Sequence, residues 1–207
     1  MNSTTSFSGV LAAKVTRNHR KAPLLWRIRN GIRPAFWLGW LVNMLAVLFS
    51  RLTGVPTMIA ELRAVKIGAD GVAIDYGVLS YRVVTSAGVA FLVDDWDSDA
   101  TDITTMNYHA SGTGTGAEAS GDTALGTEAT SVTDRATGTK SQPAANQLRS
   151  VGTQTFTGSA AITEHGLFST ATESAGTLWD RSVFSAINVV NTDTVQWTYT
   201  CTLTAGS

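Results

Sequence analysis

The chain has 207 residues, which is enough for one domain, or for one compact domain with an extension. Its net charge is only −1, and its single cysteine, Cys201, excludes an internal disulfide bond. The charge is unevenly distributed, because residues 1–60 contain eight Lys and Arg and no acid, whereas all 16 acids follow them. This asymmetry predicts an N-terminal segment with a partner of its own, either an anionic surface or a neighbouring subunit.

Residues 1–56 form a first zone that is basic and then strongly apolar. Pro34 favours the start of a helix, and residues 35–49 are a nearly unbroken apolar run. Gly54 and Pro56 then act as stop signals. We therefore predict a basic and apolar helical arm in front of the main domain.

The apolar run of this arm suits a protein interface better than a membrane. Its 15 residues would span about 22 Å as a helix, against roughly 30 Å of bilayer hydrocarbon. The arginines that precede the run would be costly at bilayer depth, but a short inserted anchor remains an alternative. We predict that the arm anchors the protein in an assembly through aromatic and basic side chains. These are Trp26, Arg27, Arg29, Arg33, Phe36, Trp37, Trp40 and Phe49.

The bases of the arm also allow contact with nucleic acid. Salt-sensitive contacts to phosphate would be made by Lys14, Arg17, Arg20, Lys21, Arg27 and Arg29. The chain has no recognised motif that reads nucleic acid, so we prefer an acidic protein neighbour as the partner of these side chains.

The second zone, residues 57–110, predicts a hairpin and a helix. Residues 58–67 are mostly apolar and β-branched, a Gly-Ala-Asp-Gly turn follows, and residues 72–76 alternate between apolar and small or polar. Ser86 can cap a short helix whose apolar positions share one face. Those positions are Val89, Leu92, Val93 and Trp96.

The third zone, residues 111–207, predicts an all-β structure. Residues 111–145 are rich in Gly, Thr and Ser and predict long loops, and four strand-like runs follow at 147–157, 161–169, 177–185 and 195–204. In the last run the apolar side chains alternate with polar ones, which is typical of a sheet with one buried face. We predict a mainly β fold, an antiparallel and jelly-roll-like β-sandwich, over residues 57–207. The apolar set is Val195, Trp197, Tyr199, Cys201 and Leu203.

Several short motifs stand out in this part of the chain. They are Tyr108-His109, 111–115 (SGTGT), 121–125 (GDTAL), 161–168 (AITEHGLF), 176–184 (GTLWDRSVF) and 202–206 (TLTAG). Together they resemble a module of virion structural proteins of tailed bacteriophages. The likeness covers about residues 85–207 and leaves the arm outside it. It implies a decoration, minor structural or fibre-like component of a virion, with other virion proteins as partners and a homo-oligomeric state.

The candidate chemical motifs do not predict an enzyme. The three histidines lie in different zones without metal-ligand spacing, and His165 is predicted to be structural or exposed. The glycine-rich residues 112–116 lack the strand and helix of a phosphate-binding loop and predict a flexible loop. We predict no catalytic residue and no cofactor.

An acidic cluster at residues 94–102 resembles the start of a calcium loop. Asp95, Asp97 and Asp99 have its first three spacings, but Ala100 and Met106 stand where glycine and glutamate are needed. We therefore predict a solvated acidic turn and no metal site.

Two structural roles follow from these patterns. In the first, the protein decorates or cements the head of a phage, and the arm lies between neighbouring subunits. In the second, it belongs to the tail or its fibres, and the apolar helix bundles with its copies. The apolar positions of the run do not keep heptad spacing over several turns, which counts against the bundle. A membrane-anchored β domain is the third alternative.

Overall fold

The structure is a computed structural model, and it describes residues 19–81, 83–97 and 102–205. The protein is mainly β, with 44% of its residues in strands and 23% in helices. The helices are α1 (Leu24–Gly31), α2 (Pro34–Thr53) and α3 (Ser86–Asp97), and a 3-10 turn covers Ile103–Thr105. The first strands are β1 (His19–Lys21), β2 (Thr57–Ile67), β3 (Ala73–Tyr81), β4 (Val83–Val84), β5 (Tyr108–Gly112) and β6 (Ala136–Thr137). The others are β7 (Thr139–Ala144), β8 (Gln147–Thr155), β9 (Ala160–Phe168), β10 (Leu178–Val189) and β11 (Thr194–Thr204).

The strands form two sheets. The six-stranded sheet has the order β1-β3-β2-β11-β8-β7, and the five-stranded sheet has the order β4-β10-β9-β5-β6. The strand pairs are antiparallel except for β1 and β3, which are parallel at the edge of the six-stranded sheet. The long strands β2, β10 and β11 run through the middle of these sheets.

Buried apolar side chains of the two sheets pack together in shared hydrophobic clusters. The six-stranded sheet contributes Leu62, Leu79 and Trp197, and the five-stranded sheet contributes Phe184 and Ile187 to the same cluster. This confirms the mainly β prediction. The strand order does not confirm the jelly-roll connectivity. The separate N-terminal arm is not confirmed either, because α1 and α2 contact the strands of the main domain.

The predicted face of β11 is confirmed except at its end. Val195, Trp197, Tyr199 and Cys201 are buried, as their alternation predicts. Leu203 is exposed, so that part of the prediction is wrong. It follows the last residue pair that β11 makes with β8, so the cover provided by the paired strands ends before it.

The other local predictions also hold in part. The hairpin is formed by β2 and β3, and β8 to β11 correspond to the four predicted strands. The zone 111–145 contains β6 and β7 as well as loops. The helix α3 is present, but the hydroxyl that caps it belongs to Thr85, which accepts a hydrogen bond from the backbone N–H of Gly88. Lys14, Arg17, Asp99 and Ala100 lie outside the described residues.

A buried ion pair joins the two turns at one end of the domain. The Nζ of Lys66 lies 2.6 Å from the carboxylate of Asp193, which also accepts backbone hydrogen bonds from Ala69 and Val190. Burial acts to raise the pKa of Asp193, but the hydrogen bonds from Lys66 and the backbone outweigh it and hold the pKa below its usual range. The carboxylate therefore fastens the β2–β3 turn to the β10–β11 turn.

We expect Asp193→Asn to remove part of the acid sensitivity of folding. A carboxyl with a lowered pKa in the folded state stabilises the protein above the unfolded-state pKa of about 3.9, and this contribution is lost as the pH falls further. The variant should be about 1–3 kcal/mol less stable than the parent at pH 7, and the difference should shrink below pH 4. Urea unfolding at pH 7, 4 and 2.5 measures it. Asp134→Asn, at an exposed carboxylate, is the control, and a difference that grows on acidification would contradict the prediction.

Candidate assembly surface

The residues at the two ends of α2 determine where the helix begins and ends. Pro34 lies in its first turn, where a missing N–H costs nothing, and Arg33 before it has an extended backbone. Gly54 ends the helix in the left-handed region with φ 75°, and its N–H donates to the carbonyl of Ser50. The predicted start and stop signals are therefore confirmed.

One side of α2 faces the six-stranded sheet and includes small and polar residues as well as aromatic ones. A Cβ added to Gly39 would lie 2.9 Å from the carbonyl oxygen of Tyr81, so glycine permits the close approach of helix and strand. The ring of Phe36 lies 5.4 Å from the ring of Tyr81. Near the other end, Ser50 is fully buried and its hydroxyl is 3.5 Å from the carbonyl oxygen of Ala205. The helix is thus fastened to the sheet near both of its ends.

The opposite side of α2 is apolar and exposed. We call five side chains with exposures between 41% and 77% the leucine face. Four more exposed apolar side chains flank it. The leucine face consists of Leu38, Leu41, Leu45, Leu48 and Leu52, and its flanks are Trp37, Val42, Met44 and Phe49.

Two predictions about this helix are wrong. The five leucines are spaced by three and four residues in alternation, which is heptad spacing over two repeats. In addition, α2 has 20 residues, or about 30 Å, so it is not too short to span a bilayer. Among the described helices it is the one that is long and apolar enough for a membrane span by length and composition. The apolar run covers residues 35–49, whereas the helix continues to Thr53.

The helix α1 closes one side of the domain. The indole Nε1 of Trp26 donates to the carbonyl oxygens of Ser185 and Ala186, and its ring makes an edge contact with Tyr76 at 4.7 Å. The side chain of Asn30 is buried, donates to the carbonyl of Leu79 and accepts from the N–H of Ser185. Asn30 therefore bridges β3 of one sheet and β10 of the other, a role that no sequence pattern indicated.

The eight residues predicted for assembly fall into two groups. Trp26, Arg33 and Phe36 are partly buried against the protein itself. Burial lowers the pKa of Arg33, and the nearby Glu118 acts in the opposite direction. The five others are exposed, and three of them lie on α2. They are Arg27, Arg29, Trp37, Trp40 and Phe49.

A groove of about 480 Å³ separates part of α2 from the outer face of the six-stranded sheet. Trp40 and Met44 line it from the helix, and Glu61, Arg149 and Thr200 line it from the strands. The helix therefore contacts the sheet along β2 and β3, while its side towards β11 stays open.

The glycine-rich loop does bind an anionic group, but that group is the protein's own Glu164. This fully buried carboxylate accepts from the backbone N–H groups of Gly114, Gly126 and Thr127 at 2.8–2.9 Å. Arg181 adds two further hydrogen-bonding contacts at 2.7–2.8 Å. The prediction of a flexible loop is therefore wrong in this region, because the loop amides are held by a buried charge.

The same cluster is completed by a second carboxylate. Asp122 lies 2.9 Å from Arg181, and the carbonyl oxygens of Gly116 and Ala117 accept from the same guanidinium. Arg181 thus ties the loop around residues 113–127 to β9 and β10.

A second arginine fastens the next loop. Arg135 makes a two-pronged pair with Glu128 at 2.6 and 2.9 Å, and its guanidinium lies 3.7 Å from the ring centre of Phe168. It also donates to the carbonyls of Thr170 and Ala175. Both long loops are therefore structural parts of the domain.

Two histidines that are far apart in sequence meet between the sheets. The Nδ1 of His109 lies 3.0 Å from the Nε2 of His165, and the Nε2 of His109 lies 2.9 Å from the hydroxyl of Ser150. The ring centre of His165 lies 4.8 Å from that of Trp197, and the two rings are tilted by 48°. All of these side chains are buried, so the described structure offers a substrate no path to Ser150. His109 and His165 come from different zones of the sequence, and no spacing indicated that they meet. The burial of His165 fits the structural alternative of its prediction.

No group of His, Cys, Asp and Glu within the described parts of the chain is arranged to hold a metal ion. In the acidic cluster, Asp95 accepts from the N–H of Ile103, and Asp102 caps the 3-10 turn through the N–H of Thr104. These carboxylates accept local backbone hydrogen bonds, which is what a capping role requires.

No protein-family model matches the chain, and no curated protein or solved structure shows significant similarity to it.

Proposed function

We propose that the protein is a non-enzymatic structural component of a tailed-phage particle, a decoration or cement protein of the head. The β-sandwich domain would lie on the shell, and the α1–α2 side would contact neighbouring subunits. The observation that carries this proposal is the exposed apolar side of α2 on a helix that is otherwise docked. A contiguous exposed apolar surface made of nine side chains typically marks a place where another molecule binds.

The sequence motifs support the phage assignment through their resemblance to virion proteins. Four of the motifs contribute to the single cluster around Glu164, which contains Gly114, Asp122 and Arg181. Their role in this chain is therefore to hold long loops on a β domain, as a scaffold requires. A structural module needs this kind of fixed loop, and no reaction has to be assigned to these residues.

The charges beside the apolar surface indicate the chemistry of the neighbour. Arg27 and Arg29 are exposed on α1, and no acid stands between residues 19 and 60. An acidic patch on an adjacent virion protein would complement these bases and orient the contact. Packaged nucleic acid is the less favoured partner, because the phosphate contacts would lack any reading motif.

We expect a variant with Trp37→Ser and Trp40→Ser to be lost from particles. Exposed tryptophans at an interface are the side chains whose removal costs most binding, about 2 kcal/mol or more each. Quantitative mass spectrometry of purified particles, made with the parent or the variant, measures incorporation against the major shell protein. Trp96→Ser on α3 is the matched control, since Trp96 is also exposed. Equal incorporation of parent and variant would remove the proposed anchor.

The copy number in the same experiment separates the two places in the particle. Hundreds of copies per particle would support decoration of the head, whereas a few to a couple of dozen would place the protein in the tail or fibres. Absence of the parent protein from particles would overturn the proposal.

A membrane-anchored β domain is the second candidate, favoured by the length and composition of α2. In this role the helix would leave the sheet, and the contacts of Gly39 with Tyr81 and of Ser50 with Ala205 would break. The chain would then stay in the membrane pellet through a high-salt wash and be released by detergent. A protein held by its bases alone would be released by the salt.

A further inference from the structure

We infer that the leucine face of α2 binds the leucine face of another copy of this chain, so that the protein self-associates. We call the contact between the two leucine faces the seam. The proposed function assigns this surface of α2 to assembly, and the inference rests on that assignment. It adds the identity of the partner, which is a second copy of the chain. It predicts a property of the purified protein, so it can be tested without particles.

The spacing of the leucines is the first argument. An α-helix packs along another helix when apolar residues recur at alternating intervals of three and four. Leu38, Leu41, Leu45, Leu48 and Leu52 follow this rule without a break. A lipid surface requires apolar character but no such spacing, because it has no ridges and grooves to fit.

The position of the helix is the second argument. Gly39 contacts β3, Ser50 contacts Ala205 directly after β11, and the leucines lie on the other side of the helix. The domain therefore presents the leucine face outward while α2 stays docked on the sheet. A second copy carries the same face, and a two-fold arrangement makes such a surface complementary to itself.

The size of the surface is the third argument. The leucine face and its flanks comprise nine apolar side chains, most of them about half exposed. They present on the order of 900 Å² of apolar area, which is comparable with the roughly 800 Å² that each partner buries in a stable interface. The flanking positions of α2 carry Trp37, Val42, Met44 and Phe49, and Arg51 is the one charge in the helix. These apolar flanks make the contact surface wider than the stripe of a and d residues in a two-stranded coiled coil.

The mass of the purified full chain in solution tests this inference. Analytical ultracentrifugation over a range of concentrations should give a multiple of the 21.8 kDa chain mass. The double variant Leu41→Glu and Leu48→Glu should be monomeric at every concentration, because it would bury two charges in each copy of the seam. Leu203→Glu is the matched control, since Leu203 is exposed on β11, outside α2, and this variant should keep the mass of the parent.

Disulfide trapping gives a second readout that does not depend on a destabilising change. Leu45 is the middle leucine, so two copies of it meet whether the helices are parallel in register or antiparallel about their centre. Leu45→Cys should form a covalent dimer under mild oxidation. Leu25→Cys on α1 should not, although Leu25 is 82% exposed. The native Cys201 does not compete, because it is buried.

A monomeric parent, an oligomer that survives the Leu41 and Leu48 substitutions, or the absence of Leu45 crosslinks would each overturn the inference. Leucine-dependent binding of the monomer to vesicles of neutral phosphatidylcholine would also overturn it, in favour of a lipid. These results leave the incorporation experiment untouched, because a monomer can still be found in particles. An oligomer that is missing from particles would retain the seam and reject the phage assignment.

Discussion

Glu164→Ala is expected to lower the free energy of unfolding by about 3–5 kcal/mol, which is the usual cost of removing one partner of a buried ion pair. The change removes the carboxylate that accepts from three backbone N–H groups of the loops and from Arg181. Arg181 would then remain buried with Asp122 as its one acidic partner in the cluster. Guanidinium chloride unfolding at pH 7 measures the loss.

Two further variants make this test specific to the buried charge. Glu173→Ala removes an exposed carboxylate and should change stability by no more than about 0.5 kcal/mol. Glu164→Gln should fall between the parent and Glu164→Ala, because the amide keeps one acceptor oxygen but places donors against N–H groups. In Glu164→Ala the amides of Gly114, Gly126 and Thr127 should exchange hydrogen faster than in the parent. A variant as stable as the parent, with unchanged exchange, would show that the loops do not depend on Glu164.

Trp197→Ala is expected to cost about 3–5 kcal/mol, the range for removal of a large aromatic side chain from a core. Trp197 is fully buried at the centre of β11, and its ring lies 4.8 Å from His165 and 5.8 Å from Phe184. Its Nε1 donates to the side-chain oxygen of Gln154 at 2.8 Å. The variant would leave a cavity between the sheets and remove one hydrogen bond from a buried amide, and both effects destabilise the fold.

Trp96→Ala provides the comparison for this core variant, since Trp96 is 77% exposed and should change stability by less than about 0.5 kcal/mol. Thermal unfolding of the two variants and the parent gives the comparison directly. Similar losses in the two variants would mean that α3 depends on contacts of Trp96 that its exposure does not indicate. A small loss in Trp197→Ala would mean that the core closes around the missing ring.

These variants distinguish the role of the β domain in stability from the role of the leucine face in self-association. The β domain supplies its own stability through the core and the charged clusters beneath its loops. The leucine face is exposed and is expected to contribute little to folding of the single chain. Substitutions of Glu164 and Trp197 should therefore change the unfolding free energy, whereas those of Leu41 and Leu48 should change the mass in solution.

Local sequence patterns were sufficient to predict several features of the fold. Alternation over residues 195–201 predicted the buried face of β11, because successive side chains of a strand point to opposite sides. Pro34 and Gly54 marked the ends of α2, because one lacks an N–H and the other adopts a positive φ. The hairpin of β2 and β3 followed from its turn residues in the same way.

The side of α2 that faces outward depends on contacts between distant parts of the chain. Almost every position of residues 35–49 is apolar, so hydrophobicity alone could not select the leucines as the exposed stripe. Contacts of Gly39 and Ser50 with the sheet fix the rotation of the helix, and these contacts come from residues far along the chain. The pairing of His109 with His165, 56 residues apart, has the same origin. Such pairs depend on how strands align across two sheets, and that alignment is set by the packing of the whole core rather than by local sequence.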